Sequence, residues 1–148
     1  MLRRLSTLHI FDVWGETFEY RWLGPGLGSL SNFNRLRDLE IPVEILFGDA
    51  DVASFRVIDM LPKSIARLGL RNDLVWFPDL YPFRPRDLLV PLQAFLGDTD
   101  LKTRLPKLRV LHLCLQDINR CWPRMFHEEF LTQLSDTARA VSVDLVQR

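Results

Sequence analysis

The chain has 148 residues, 47% of them hydrophobic, and its 19 basic and 19 acidic side chains give a formal net charge of zero. This length suits one domain, and the apolar content argues against a disordered chain. The zero net charge and the lack of a long apolar stretch give no sign of a nucleic-acid or membrane partner, and we expect neither. With two cysteines and no secretory signal pattern, the chain is predicted to be intracellular, in the cytoplasm or nucleus.

A short pattern, apolar-x-x-apolar-x-apolar, recurs along the chain. Four clear copies and a weaker fifth are Leu5–Ile10, Leu36–Ile41, Ile65–Leu70, Leu108–Leu113 and Ala138–Val143. Their middle apolar residues, Leu8, Leu39, Leu68, Leu111 and Val141, are separated by 31, 29, 43 and 30 residues. Such a pattern at a period of roughly 20–30 residues is typical of leucine-rich repeats. In a strand, alternate side chains point to one side, so the fourth and sixth residues of this pattern would point into a core together. We therefore predict that each copy forms a strand of an α/β fold. It would be an irregular leucine-rich-repeat solenoid, with parallel strands on one face and helices or loops returning on the other.

The segments between the copies supply the return connections. Trp22–Asn32 contains three glycines, but their spacing does not fit a phosphate-binding loop, so this segment predicts a turn. Asp51–Leu61 predicts a short helix with Asp51 as its candidate N-cap. The extra length of the long repeat, residues 72–89, contains three prolines and four aromatic residues. We expect an ordered insertion packed on the solenoid, and an exposed docking patch is the alternative.

Two later segments show helical periodicity. Residues 86–97 carry apolar residues on one face and end at Gly97, a natural stop, while Pro91 either kinks the helix or marks its start. The apolar face of this segment consists of Leu88, Leu92, Phe95 and Leu96. A second helix is predicted at about Pro123–Leu134, because three apolar residues recur at intervals of four. They are Phe126, Phe130 and Leu134.

Three segments resemble the leucine-rich C-terminal region of fungal F-box-type proteins: LGSLSNFNRLRDLEIPVEILFG, MLPKSIARLGLRNDL and PLQAFLGDTDLKTRLPKLRVLHL. The resemblance covers roughly Gly28–Leu113 and rests on the order of these segments and on a Leu-Pro pair before two strands. In that family an F-box docks the chain onto a cullin-based ubiquitin ligase through a Skp-type adaptor, and the repeats bind a substrate or another partner. No F-box precedes the first repeat here, so the resemblance implies a partner-binding region and does not imply adaptor binding. Because the edge of the first strand would be uncovered, we expect a fragment or truncated member of a longer repeat protein.

The ninth position of each repeat departs from the usual consensus, which has Asn or Cys bonded to neighbouring backbones. Counted from the first apolar residue of each clear copy, the ninth positions are Val13, Glu44, Asp73 and Gln116. None of them is Asn or Cys. We therefore expect long, irregular repeats without a regular asparagine ladder.

The candidate binding surface is the concave side of the predicted sheet. Strand residues that flank the inward pair should point there: Thr7, His9 and Phe11; Asp38, Glu40 and Pro42; Arg67, Gly69 and Arg71; Val110, His112 and Cys114. Interfaces favour Arg and aromatic side chains. We predict partner contacts at Glu40, Arg67, Arg71 and His112, and a plain solvated sheet face is the alternative.

No sequence motif for catalysis or phosphate binding is recognisable, so we predict no catalytic residue, no cofactor and no small-molecule ligand. His112, Cys114, Cys121 and His127 are zinc-ligand types, but their spacing matches no common zinc module, and we predict no metal. The sequence thus favours one domain, residues 1–148, with about five irregular repeats, acting as a non-enzymatic protein-interaction module for an unknown partner. Two alternatives stay open: a small α/β enzyme with a coincidental repeat pattern, or a truncated product without an independent function.

Overall fold

The computed structural model describes residues 7–9, 29–47, 56–71, 85–114 and 124–147. Within these residues the chain forms five strands and five helices. The strands are β1 (Thr7–His9), β2 (Asp38–Pro42), β3 (Arg67–Arg71), β4 (Val110–Cys114) and β5 (Asp144–Gln147). The helices are α1 (Val43–Phe47), α2 (Val57–Met60), α3 (Pro85–Leu96), α4 (Leu101–Arg104) and α5 (Arg124–Ala140).

The five strands form one sheet, and their order in the sheet is their order in the chain. Each strand pairs in parallel with the next one. Parallel neighbours require a crossover connection, and the helices lie in these connections. The predicted α/β class, with parallel strands and returning helices, is therefore confirmed.

The register of the sheet brings four of the predicted anchor residues into one row. Leu8 is paired with Leu39, Leu39 with Leu68, and Leu68 with Leu111, so the middle leucines of the four clear copies form a single row across the sheet. The row ends at Leu145 of β5.

The fifth predicted copy, Ala138–Val143, is wrong, because its first three residues close α5 and its anchor Val141 lies in a turn. Ala138 is fully buried and continues the helical stripe of Phe130 and Leu134 by another interval of four residues. After the helix, the amide of Val143 donates to the carbonyl of Ala138 at 3.0 Å, and Ser142 adopts a positive φ of 54°. The apolar spacing that resembled a strand therefore belongs to the end of a helix.

Three strands are entered through the same kind of turn. The first apolar residue of each copy donates its amide to the carbonyl three residues earlier, at 2.9 to 3.1 Å: Leu36 to Phe33, Ile65 to Pro62, and Leu108 to Leu105. All three donors have no exposed surface. This agrees with the sequence pattern, in which the first position reaches the core from the turn before the strand.

The core is one cluster of buried side chains to which the sheet and all five described helices contribute. One side of the sheet contributes the inward pair of each central strand: Leu39, Ile41, Leu68, Leu70, Leu111 and Leu113. Helix α3 contributes Leu92, Phe95 and Leu96, and α5 contributes Phe130, Leu134 and Ala138. The side chains of Leu88 and Phe126, which were predicted for the same faces, lie outside the described part.

The helix boundaries differ from the predictions in three ways. Helix α3 begins at Pro85 and continues through Pro91, so Pro91 is not its start. Helix α5 extends six residues beyond the predicted end at Leu134. In the predicted segment Asp51–Leu61, the described residues contain only the four-residue α2, and Asp51 lies outside them. Of the predicted insertion at 72–89, residues 72–84 lie outside the described residues and residues 85–89 belong to α3. Trp22–Gly28 of the predicted turn also lie outside the described residues.

A buried serine joins two successive turns. The hydroxyl of Ser64 lies 2.6 Å from the carbonyl oxygen of Leu36 and 3.2 Å from that of Phe33. Ser64 therefore bonds a neighbouring backbone, the role expected of the ninth consensus position. Of the four ninth positions, Val13, Asp73 and Gln116 lie outside the described residues, and Glu44 lies in α1.

Charged side chains join α2 to α4. The guanidinium of Arg56, just before α2, contacts both carboxylate oxygens of Asp98 at 2.8 Å and one oxygen of Asp100 at 3.0 Å. At the other ends of the two helices, Arg104 of α4 lies 2.6 Å from Asp59 of α2. We call this set of contacts the helix clasp, and it ties together the segments that precede β3 and β4.

The helix clasp should make stability depend on pH at acid values. The Arg56 guanidinium, followed by the amide of Asp100, holds the pKa of Asp98 below its ordinary value. A carboxyl group with a lowered folded-state pKa stabilises the fold above its unfolded pKa of about 3.9 and loses that contribution as the pH falls through the folded-state pKa. We expect the free energy of unfolding to decrease below about pH 4, and to decrease less in Asp98→Asn.

Urea unfolding at a series of pH values would measure this difference. Asp136→Asn is the matched control, because Asp136 is an exposed carboxylate that pairs with Arg139 on a single helix, α5. Identical acid dependence of Asp98→Asn and the wild type would contradict a stabilising role for the clasp carboxylate.

Candidate functional site

The side of the sheet opposite the core carries the predicted partner-contact residues. In β2, β3 and β4, the residues that alternate with the buried pair are aligned across the strands in three rows. Their described side chains form what we call the strand face: Asp38, Glu40, Arg67, Gly69, Arg71, Val110, His112 and Cys114. Thr7 and His9 continue two of the rows through the backbone register of β1, whereas Phe11 lies outside the described residues.

The register also places two residues on the strand face that the sequence analysis missed. Asp144 is aligned with Val110, and Val146 is aligned with His112. Val146 is a large apolar side chain that is 41% exposed. The sequence pattern predicted the fifth strand too early, at Ala138–Val143, so neither residue was assigned to a strand.

Two of the four predicted contact residues form an ion pair with each other. The guanidinium of Arg71 lies 3.3 Å from the carboxylate of Glu40, and the side chains are only 21% and 28% exposed. Arg67 is much more open, at 62% exposed, and its Nε lies 3.6 Å from Asp38. Both pairs connect β2 to β3, so the two strands present alternating positive and negative charge.

Gly69 allows the Glu40 side chain to lie across β3. The two residues are register partners, and a Cβ atom built on Gly69 would stand 3.2 Å from Glu40 Cγ and 3.4 Å from Glu40 Cβ. A glycine inside a strand often marks such a close approach. The sequence places Gly69 on this face, but only the structure shows that its missing side chain gives Glu40 room to reach Arg71.

His112 lies beside a thiol on β4. The Cys114 Sγ atom is 3.8 Å from His112 Nδ1 and 3.9 Å from Nε2, and both side chains are half-buried. Of the other zinc-ligand types named above, Cys121 and the side chain of His127 lie outside the described residues. Among the residues that are described, no three His, Cys, Asp or Glu side chains are grouped so that they could hold a metal ion.

The strand face carries two ion pairs, and both connect β2 to β3. Ion pairs near a surface are worth little on their own, because solvent screens them. A partner that covers them removes that solvent, so it must supply complementary charge or lose affinity. Arg67, Arg71, Glu40 and His112, the four predicted contact residues, all lie on this face.

No helix in the described part of the chain has the length and apolar character needed to cross a membrane. No protein-family model, curated protein or solved structure matches the chain. The resemblance to fungal F-box-type proteins, and the function that it implies, therefore stay predictions.

Proposed function

We propose that the chain is a leucine-rich-repeat module that binds another protein through the strand face and performs no chemistry of its own. Following the resemblance, its role would be the partner-binding region of an F-box-type ubiquitin-ligase receptor in the cytoplasm or nucleus. The observation that carries the proposal is the register of the sheet. Successive parallel strands stand in chain order, and equivalent side chains are aligned in rows.

Aligned rows make a sheet well suited to recognition. Neighbouring strands are spaced by about 4.8 Å, and alternate residues along a strand by about 6.7 Å, so the side chains form a regular grid. The strand backbones are already fixed by pairing on both sides in β2, β3 and β4. Because little backbone order has to be gained on binding, more of the contact energy is retained as affinity.

Exchanging the two charges of the Glu40–Arg71 pair would test the proposal. The single change Arg71→Glu places two carboxylates together, whereas the double change Glu40→Arg with Arg71→Glu keeps an ion pair and reverses its direction. We expect the double variant to keep near wild-type stability but to lose partner capture by about tenfold, because the partner would meet the wrong charge at both positions. The measurement is quantitative mass spectrometry of proteins captured from a fungal lysate, together with thermal unfolding.

The chain supplies a matched control pair away from the strand face. Asp136 and Arg139 form an exposed ion pair at 3.3 Å on α5. Exchanging these two charges should leave capture unchanged. Equal capture by the strand-face exchange and the wild type would contradict the proposed site, and a folded chain that captures nothing specific would contradict the interaction module itself. Co-capture of ligase adaptor and cullin subunits would support the ligase link.

A further inference from the structure

Basic side chains are concentrated at the edge of the sheet where the chain enters β2, β3 and β4. The three entry turns, residues 34–37, 63–66 and 106–109, contain five basic residues and no acidic residue. We call this surface the turn rim. Its basic residues are Arg35, Arg37, Lys63, Lys107 and Arg109, and all five are exposed.

Backbone hydrogen bonds hold the three turns side by side. The carbonyl of Arg37 accepts the amide of Ala66 at 2.8 Å, and the carbonyl of Ala66 accepts the amide of Arg109 at 2.9 Å. Arg37, Ala66 and Arg109 are therefore neighbours along one row, and the small Ala66 stands between two arginines. With strands about 4.8 Å apart, the backbones of the two arginines are separated by roughly 10 Å.

The arginines of the turn rim differ from the other arginines whose side chains are described. Away from the turn rim, each described arginine side chain has a nitrogen within 3.6 Å of a carboxylate oxygen. These arginines are Arg56, Arg67, Arg71, Arg104 and Arg139. On the rim, Arg35, Arg37 and Arg109 have no carboxylate partner among the described residues. Arg109 instead donates to the carbonyls of Pro106 and Leu108, at 3.3 and 3.4 Å, which holds its guanidinium against the turn.

We infer that the turn rim is a docking site for a carboxylate-rich segment of a protein partner. The planar guanidinium matches a carboxylate through two parallel hydrogen bonds. The short side chain of Ala66 leaves space for one carboxylate to reach both Arg37 and Arg109. This site goes beyond the proposed function, because it does not require the strand face to bind anything.

A carboxylate-rich protein segment fits the turn rim better than a nucleic acid. The rim is three strands wide, and the adjoining row of the sheet carries Asp38 and Asp144. A phosphate backbone carries a charge at every nucleotide and would meet these two carboxylates, whereas a protein segment can place uncharged residues beside them. The zero net charge of the chain also provides no long-range attraction for a polyanion.

The test uses the purified full chain and a fluorescein-labelled peptide of about ten residues in which Glu and Gly alternate, long enough to cross the rim when extended. Fluorescence anisotropy measures its affinity, and the same peptide with Gln in place of Glu is the probe control. We expect the Glu peptide alone to bind. Arg37→Glu with Arg109→Glu should weaken it by at least about tenfold, and Ala66→Glu should do the same by occupying the gap with the chain's own carboxylate.

Three further variants decide whether the loss belongs to the turn rim. Arg139→Glu, an exposed charge reversal on α5, should keep wild-type affinity, and so should the Glu40→Arg with Arg71→Glu exchange on the strand face. The pair Arg37→Lys with Arg109→Lys should bind less tightly than the wild type but more tightly than the glutamate pair, because the charge is preserved while the paired hydrogen bonds of the guanidinium are lost. Retention in the exchange variant separates the turn rim from the strand face, so either proposal can fail without the other.

Several outcomes would overturn the inference. One is that the Glu peptide does not bind at low salt. The others are that Arg139→Glu, or the lysine pair, loses as much affinity for the peptide as the Arg37→Glu with Arg109→Glu variant. Tighter binding of a single-stranded oligonucleotide, or of vesicles of phosphatidylserine and phosphatidylcholine, would also overturn it, since either would assign the turn rim to phosphate groups.

Discussion

Replacing Leu111 by alanine is expected to lower the free energy of unfolding by about 3 kcal/mol. Leu111 has no exposed surface and stands in the middle row of the sheet, between Leu68 on one side and Leu145 on the other. Removing its three outer carbons leaves a cavity that paired strands on both sides cannot easily close. The cost therefore includes both the lost burial and the unfilled space. Urea unfolding followed by circular dichroism would measure it.

Leu145→Ala is the matched control, because it makes the same chemical change in the same row. Leu145 lies on β5, which pairs only with β4 among the described strands, and its side chain is half-buried. It already contacts solvent, so we expect about half the cost of Leu111→Ala or less. A cost as large as that of Leu111→Ala would mean that the middle of this row is packed no better than its end at β5.

Replacing Ser64 by alanine is expected to lower the free energy of unfolding by about 2 kcal/mol. Ser64 is the only polar residue among the buried side chains of the described residues, and its hydroxyl is 2.6 Å from the Leu36 carbonyl. Without the hydroxyl, that carbonyl is left in the interior without this donor. The free-energy cost of leaving a buried acceptor unsatisfied is larger than the average net contribution of a hydrogen bond to stability.

Ser29→Ala provides the comparison for the serine prediction. Ser29 is exposed, and among the described residues its hydroxyl bonds only to Ser31, two residues away. We expect its replacement to change the free energy of unfolding by less than about 0.5 kcal/mol. If Ser64→Ala were equally mild, water or a shifted backbone would have to satisfy the Leu36 carbonyl, and Ser64 would not be a structural bridge between the turns.

The sequence predicted the strands well where the apolar residues alternate without ambiguity. In the four clear copies, only a strand brings the fourth and sixth residues to one side, so the row from Leu8 to Leu111 could be assigned before the structure was known. The fifth copy failed because Ala138, Val141 and Val143 satisfy the same spacing at the end of a helical stripe. Helices α1 and α4 were missed because elements of five and four residues are too short to show a helical period.

The partners of individual charges could not be predicted at all. Arg56 and Asp98 are 42 residues apart, and no periodicity connects them. The four predicted contact residues do lie on one face, but the sequence could not show that Glu40 pairs with Arg71 while Arg67 pairs with Asp38. Those choices depend on the strand register and on the space above Gly69, which arise only when distant segments pack together.

Connection length in this chain is independent of strand alignment. The anchors Leu39 and Leu68 are 29 residues apart and Leu68 and Leu111 are 43 apart, yet both pairs are aligned in the same row. Loop closure becomes only slowly more costly as a loop grows, so added residues can be accommodated outside the sheet. Related sequences could therefore gain or lose whole stretches between strands while the arrangement of side chains on the strand face stays the same. The strand face and the length of the connections could then evolve separately.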